Sequence, residues 1–205
     1  MEFIVKKDEL LNGIRVVEPA TAVKGLQPVL ANILIETVDE STLKLSATDL
    51  DLTIITDIQA QVKEEGKITL PAKKLSDIVT RLSDDLIEFK IDLENNTANI
   101  TCKNAKFNVL GISANEFPTI TELDLSEDDT IDIDVKTLNN AVKQVAFAAA
   151  GYESNNVLSG IVFNISESIL EMAATDFSRM PARITIAIRY PIAVATPLTR
   201  LWMKL

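Results

Sequence analysis

The chain has 205 residues, of which 47% are hydrophobic and 24% charged, with a formal net charge of −10 and no histidine. That balance suits a globular protein of one or two domains able to bury a core, and it removes the commonest general base and metal ligand. The single cysteine, Cys102, excludes an internal disulfide and a cysteine-based zinc site. With no signal-peptide pattern at the start and no apolar run of 18 residues, the expectation is a cytoplasmic protein without cofactor or metal.

Taken in chain order, Phe3-Ile4-Val5 reads as a short strand, followed by an amphipathic helix with Asp8 as its cap and Leu10, Leu11, Ile14 and Val17 on one face. Three strands follow at Asn32 to Glu36, Thr42 to Thr48 and Leu52 to Ala60, with Asp39-Glu40-Ser41 as a tight turn. After a short strand at Ile68-Thr69-Leu70, Pro71 suits the first turn of a second helix carrying Leu75, Ile78, Val79 and Leu82. Strands at Leu86 to Ile91, Ala98 to Cys102 and Lys106 to Leu110 complete a second strand-helix-strand-strand-strand unit. The segment Asn115 to Thr119 and the acidic run Glu122 to Asp129 read as a linker. Beyond it, Ile131-Asp132-Ile133 and a helix over Lys136 to Ala150 open a new domain.

That new domain repeats the first. Lys7 to Val17 lies over Val135 to Val145 at an offset of 128, and Leu30 lies over Leu158 at the same spacing. Ala47-Thr48-Asp49 lies over Ala174-Thr175-Asp176 at 127, so one residue is lost in the intervening turn. A spacing this long means duplicated domains, since solenoid units run at roughly 20 to 50 residues. After Ile184 to Ile188 the match stops, and the strand and helix of Ile68 to Leu82 find no sequence counterpart. The ending, with Pro191, Pro197 and the one tryptophan, Trp202, differs in composition from the rest. The expected organisation is a complete domain at 1–122, a linker at 123–129, an incomplete domain at 130–189, and a divergent or truncated tail at 190–205.

The helices are basic within an acidic protein. Lys6, Lys7 and Arg15 belong to the first, Lys73, Lys74 and Arg81 to the second, and Lys136 and Lys143 to the third. Most acidic residues fall in turns and strand edges instead. Helices sharing one positive surface could line a passage for duplex DNA, held through phosphates and so without sequence preference. The same lysines could equally do no more than solubilise exposed helix faces.

Several motifs together resemble the bacterial DNA polymerase III beta sliding clamp family. They are Leu26-Gln27-Pro28-Val29-Leu30-Ala31-Asn32, Ala47-Thr48-Asp49-Leu50-Asp51-Leu52, Leu70-Pro71-Ala72-Lys73-Lys74, Phe117-Pro118, and Ala174-Thr175-Asp176 with Ser178-Arg179. The resemblance covers residues 1 to about 185. It implies an α+β fold of the DNA clamp type, repeated strand-helix-strand-strand-strand units with antiparallel sheets outside and helices on one face. Family members carry three such domains per chain and close as dimers into six-domain rings. Closing six domains would take three chains of the present length, so self-association is expected. The implied role is a non-catalytic processivity factor that encircles double-stranded DNA and works with the polymerase III catalytic subunit and the clamp loader, without a membrane.

The resemblance also assigns residues. Lys24, Lys73 and Lys74 stand where the family places basic groups against the DNA backbone. The loop from Gly151 to Val157 matches a DNA-touching loop, which makes Tyr152, Asn156 and Val157 candidates, although the loop carries Glu153 and no basic residue. The family's pocket for short apolar peptides of partner proteins maps to Leu158, Thr175, Phe177, Ser178, Arg179 and Met180. Phe177 replaces a usual glycine and Met180 a usual leucine, so Phe177 could fill the pocket or redirect the turn. Three alternatives stand beside this reading: an inactive truncated clamp fragment, a clamp-like interaction module that does not encircle DNA, and a metal-dependent hydrolase using Asp49, Asp51 and Asp176. Asp49 and Asp176 occupy equivalent places in the repeat and are better read as turn formers.

Overall fold

The computed structural model describes residues 1–22, 27–83, 85–120, 133–151, 157–166, 169–176, 182–187 and 199–204. The chain divides into two compact units, Met1–Thr121 and Glu122–Leu205.

In unit one the elements are β1 (Glu2–Lys6), α1 (Lys7–Val17), β2 (Asn32–Asp39), β3 (Thr42–Thr48), β4 (Thr53–Glu64), β5 (Lys67–Pro71), α2 (Ala72–Arg81), β6 (Leu86–Asp92), β7 (Thr97–Cys102), β8 (Ala105–Leu110) and β9 (Ile112–Ser113). The strands form one antiparallel sheet in the order β8-β7-β6-β1-β4-β3-β2-β5-β9. Chain order and sheet order together reveal two halves, β1-α1-β2-β3-β4 and β5-α2-β6-β7-β8, that exchange their first strands. β1 pairs with β6 of the second half, and β5 pairs with β2 of the first.

Alternation places the core. Ile87, Phe89 and Ile91 on β6, with Ala98, Ile100 and Cys102 on β7, are buried at every second position, as a half-solvated strand requires. Phe3 lies opposite Phe89 in register, and the rings stack with centroids 4.7 Å apart. Leu10, Ile14 and Val17 of α1 and Leu75 and Val79 of α2 enter the same core. Gly13 allows α1 to approach the sheet, since a Cβ there would lie 2.7 Å from both Leu45 Cδ1 and Ile58 Cγ2. A smaller cluster, Val29, Leu30, Leu34 and Phe117, is built with the Phe117-Pro118 segment.

Three expectations about helix ends need correcting. Asp8 does not cap α1: the helix begins at Lys7, with Lys6 at the N-cap and no side-chain cap. The strand runs straight into the helix, and the Lys7 amide is satisfied by the Asp85 carbonyl at 2.7 Å. Asp8 and Glu9 sit in the first turn, favourably placed for the helix dipole. Pro71 lies at the N-cap of α2 rather than inside it, because its extended backbone, ψ 116°, still belongs to β5. In unit two the third helix, α3, spans Val135–Ala146 and stops short of Ala150, with Asp134 as a true side-chain cap.

Unit two continues with β10 (Gly160–Ser166), β11 (Ile169–Ala174), β12 (Ala182–Ala187) and β13 (Thr199–Lys204), in the sheet order β12-β11-β10-β13. This is the order β4-β3-β2-β5 of unit one. The register agrees as well: Ile33 pairs with Leu70 and Ile35 with Ile68, while their repeat counterparts Ile161 and Phe163 pair with Met203 and Leu201. Sequence comparison finds no counterpart of β5 for the second unit, yet β13 takes its place. Backbone pairing specifies a strand position without demanding any particular side chain, which is why the likeness was invisible in the residues.

Candidate nucleic-acid interface

Lys73 and Lys74 occupy the first turn of α2, both exposed. Among the described residues neither forms an ion pair. The unpaired amide groups of a helix start add positive potential, so the two ammonium groups and the helix terminus reinforce one another toward an anion. Arg15 and Arg81 are exposed in the last turns of α1 and α2. Lys7, counted with the basic helix residues, is partly withdrawn: its Nζ donates to the Leu82 carbonyl at the end of α2.

The lysines on the strands are in a different state. Lys63 donates to Glu2 at 2.8 Å and to Glu88 at 3.2 Å, and Lys90 lies 3.8 Å from the same two carboxylates. The hydrogen bond from Lys63 holds the Glu2 carboxyl below the usual glutamate range, and that to Glu2 raises Lys63 in turn. Cations on β4 and β6 are therefore matched by acids, while those at the start of α2 have no acidic partner among the described residues. The contrast is what an anion-facing helix surface needs, and sequence alone could not show it, because the pairing residues are 25 and 61 positions apart.

Among the remaining candidates, Lys24, Tyr152 and Asn156 lie outside the described residues. Val157 opens a 3-10 turn, Val157–Ser159. The half-buried Leu158 accepts a hydrogen bond on its carbonyl from the Ala150 amide at 2.9 Å, which closes the base of the 151–157 loop. Leu158 leads into β10 and Thr175 leaves β11, adjacent antiparallel strands, so both sit at one end of the sheet. Phe177, Ser178, Arg179 and Met180 lie outside the described residues.

The repeat counterpart in unit one shows how the Ala-Thr-Asp turn is made. Asp49 Oδ1 accepts from the amides of Asp51 at 3.0 Å and Leu52 at 2.8 Å. The Thr48 hydroxyl accepts from the Leu50 amide and from Thr53 Oγ1, and Leu50 takes a positive φ of 79°. Asp49 is thus engaged in holding a tight loop, the task the sequence suggested. Among the described residues no group of three or more Cys, Asp or Glu side chains is placed to hold a metal ion. Nor is any described helix long and apolar enough to cross a membrane.

Comparison with known proteins agrees with this architecture. Residues 1–121 match the DNA polymerase III beta subunit N-terminal domain, and residues 132–191 match its central domain. The beta sliding clamp of Synechocystis sp. is 35% identical over 186 residues, covering 88% of this chain and 47% of that protein. That of Synechococcus elongatus is 34% identical, covering 97% of this chain and 51% of the relative. Among solved structures, the DNA polymerase III subunit beta of Pseudomonas aeruginosa superposes with a TM-score of 0.85 at 25% identity, over all of this chain and 54% of the other. The sliding clamp of Bacillus subtilis gives 0.87 at 24% identity, again over all of this chain and 54% of the other, a likeness of fold. The chain spans about half the length of the relatives it matches.

Proposed function

This chain belongs to the DNA polymerase III beta subunit family, and on that footing we propose that it is a processivity factor. It surrounds duplex DNA without sequence preference, tethers the replicative polymerase, and catalyses nothing itself. The observation that carries the reading is the pair of exposed lysines, Lys73 and Lys74, at the start of α2 in a family-matched unit, neither ion-paired among the described residues. Encirclement replaces affinity, so a few weak phosphate contacts that permit sliding suffice. Lys24, Tyr152, Asn156 and Val157 extend the DNA-facing set. Leu158, Thr175, Phe177, Ser178, Arg179 and Met180 form the seat for short apolar peptides of the polymerase catalytic subunit and the clamp loader. Residues 1–122 act as one clamp domain, 130–189 as part of a second, and the ring closes by self-association in the cytoplasm.

The test is retention on DNA by gel filtration, with clamp loader and ATP, comparing a nicked circular plasmid with the same plasmid linearised. A topological tether stays on the circle and runs off the line. Equal loss from both would overturn encirclement. The other reading is a clamp-like module that binds partner proteins without surrounding DNA, in which the exposed lysines of α2 serve only to solubilise the helix face. Such a module would bind polymerase equally well after Lys73→Ala and Lys74→Ala. In the proposed reading each of those changes lowers the slope of log affinity against log salt by about 0.9.

A further inference from the structure

α2 presents a row of charged residues to solvent. Lys73, Asp77 and Arg81 stand at i, i+4 and i+8 of the helix, all exposed, so they follow one another along a single face. Lys74, also exposed, flanks Asp77 at i−3. The order along the row is cation, anion, cation.

The local structure gives Asp77 no task. Asp39, Asp49, Asp92 and Asp134 make turns and caps, each accepting from a backbone amide two or three residues on. Asp77 is the sixth of the 10 residues of α2, past the first turn where a carboxylate meets unpaired amides. Aspartate is a weak helix former, because its short carboxylate favours non-helical turns. Nor does Asp77 neutralise a neighbour: among the described residues it forms no ion pair, although three cations lie within about one turn. Its remaining property is a negative charge held out toward whatever faces the helix.

Duplex DNA faces α2 in the function proposed above, and the role of Asp77 rests on that reading. Lys73 and Arg81 are eight residues apart, which is about 12 Å along the helix axis. Duplex DNA carries one negative charge per about 1.7 Å of its own axis. A backbone that spans both cations therefore brings phosphates past Asp77. The repulsion between two like charges about 8 Å apart in water lowers an association constant about two- to threefold.

We propose that Asp77 limits how tightly α2 holds DNA. Lys73 and Arg81 attract the phosphate backbone, and the carboxylate between them shortens each contact, so that phosphates pass from one cation to the next. A tether that encircles its track needs no grip, and free sliding requires contacts that break as readily as they form. Arg81 joins Lys73 and Lys74 as a phosphate contact.

Fluorescence anisotropy of a labelled duplex oligonucleotide of mixed sequence, titrated with the full chain, tests it. Asp77→Asn keeps the shape and removes the charge, and should raise the affinity about threefold at about 10 mM salt. The gain should shrink at about 0.1 M, where the Debye length falls from about 30 Å to about 10 Å. Lys73→Ala and Arg81→Ala should each weaken binding. Glu94→Gln makes the same change of net charge in the exposed turn beyond the far end of β6, and should move the affinity far less. If the cation variants weaken binding but Asp77→Asn does not strengthen it, the proposal is overturned while the DNA-facing reading stands. A gain matched by Glu94→Gln, or equal at both salt concentrations, would overturn it as well. Indifference to Lys73→Ala would remove the DNA-facing reading, and the role of Asp77 with it.

Discussion

Asn32 Nδ2 donates to Thr69 Oγ1 at 2.9 Å across β2 and β5, and the Thr69 hydroxyl donates onward to the Ile112 carbonyl at 2.8 Å. Asn32 is 3% exposed and Thr69 fully buried, so neither group can turn to water. One short polar chain thus ties three neighbouring strands, β2, β5 and β9. Thr69→Val keeps the shape but strands the Asn32 amide and the Ile112 carbonyl, at a cost of about 2 kcal/mol. Thr69→Ser retains both bonds and should lose less than half of that. Both tyrosines and the tryptophan fall in unit two. Urea unfolding followed by circular dichroism should therefore shift while the tryptophan transition stays in place. Equal stability of the valine variant would mean that the chain does not support the sheet.

Gly111 lies beside the same strand for a different reason. A Cβ at this position would stand 2.3 Å from the Thr69 carbonyl oxygen, a backbone atom that cannot swing aside. Gly111→Ala should destabilise unit one by about 3 kcal/mol, at the upper end of overpacking effects. Gly151 is the contrast, with nothing among the described residues within 4 Å of the added methyl, and Gly151→Ala should stay within about 0.5 kcal/mol of the parent. Chemical denaturation of the two variants side by side reads the difference.

Local patterns carried much of this architecture to the reader of the sequence. The period-two burial of Ile87, Phe89 and Ile91 and the helical spacing of Leu10, Ile14 and Val17 are visible in the residues because burial on one face dictates them. The Asp49 turn was legible too, since its partners are two and three residues away. What could not be read depends on distant chain. The amide of Lys7 finds its acceptor at Asp85, which makes a side-chain cap unnecessary, and Lys63 finds its acids on β1 and β6. In the candidate interface, the family motif located Lys73 and Lys74, but only the fold separates them from lysines already matched by carboxylates.

Asp134 caps α3 by accepting from the Thr137 amide at 2.9 Å and from the Thr137 hydroxyl at the same distance. The backbone bond first, and the hydroxyl second, hold its carboxyl below the ordinary aspartate range. The sign follows from linkage. A carboxyl depressed in the folded state contributes stability above its unfolded value, near about 3.9, and loses it as pH falls through the lower folded value. Unit two of the parent should therefore weaken on acidification below about pH 4 more steeply than that of Asp134→Asn, which caps without titrating. Urea midpoints from tryptophan fluorescence across that range measure it. Parallel curves for the two proteins would remove Asp134 from the acid response.

The pairing of β13 with β10 makes a prediction independent of any side chain. Residues Val162 to Ile165 of β10 are flanked on one edge by β11 and on the other by β13, so their amides alternate between two partners. A chain ending at residue 198 lacks β13 and leaves alternate β10 amides facing water. Hydrogen exchange at those amides should accelerate toward the rates of exposed loops, while the intervening amides, bonded to β11, stay protected. The two-residue rhythm is diagnostic. General unfolding of unit two would accelerate every β10 amide together, and unchanged exchange would mean that residues 199–204 do not complete the sheet. Only alternate loss assigns to this strand the position that β5 holds in unit one.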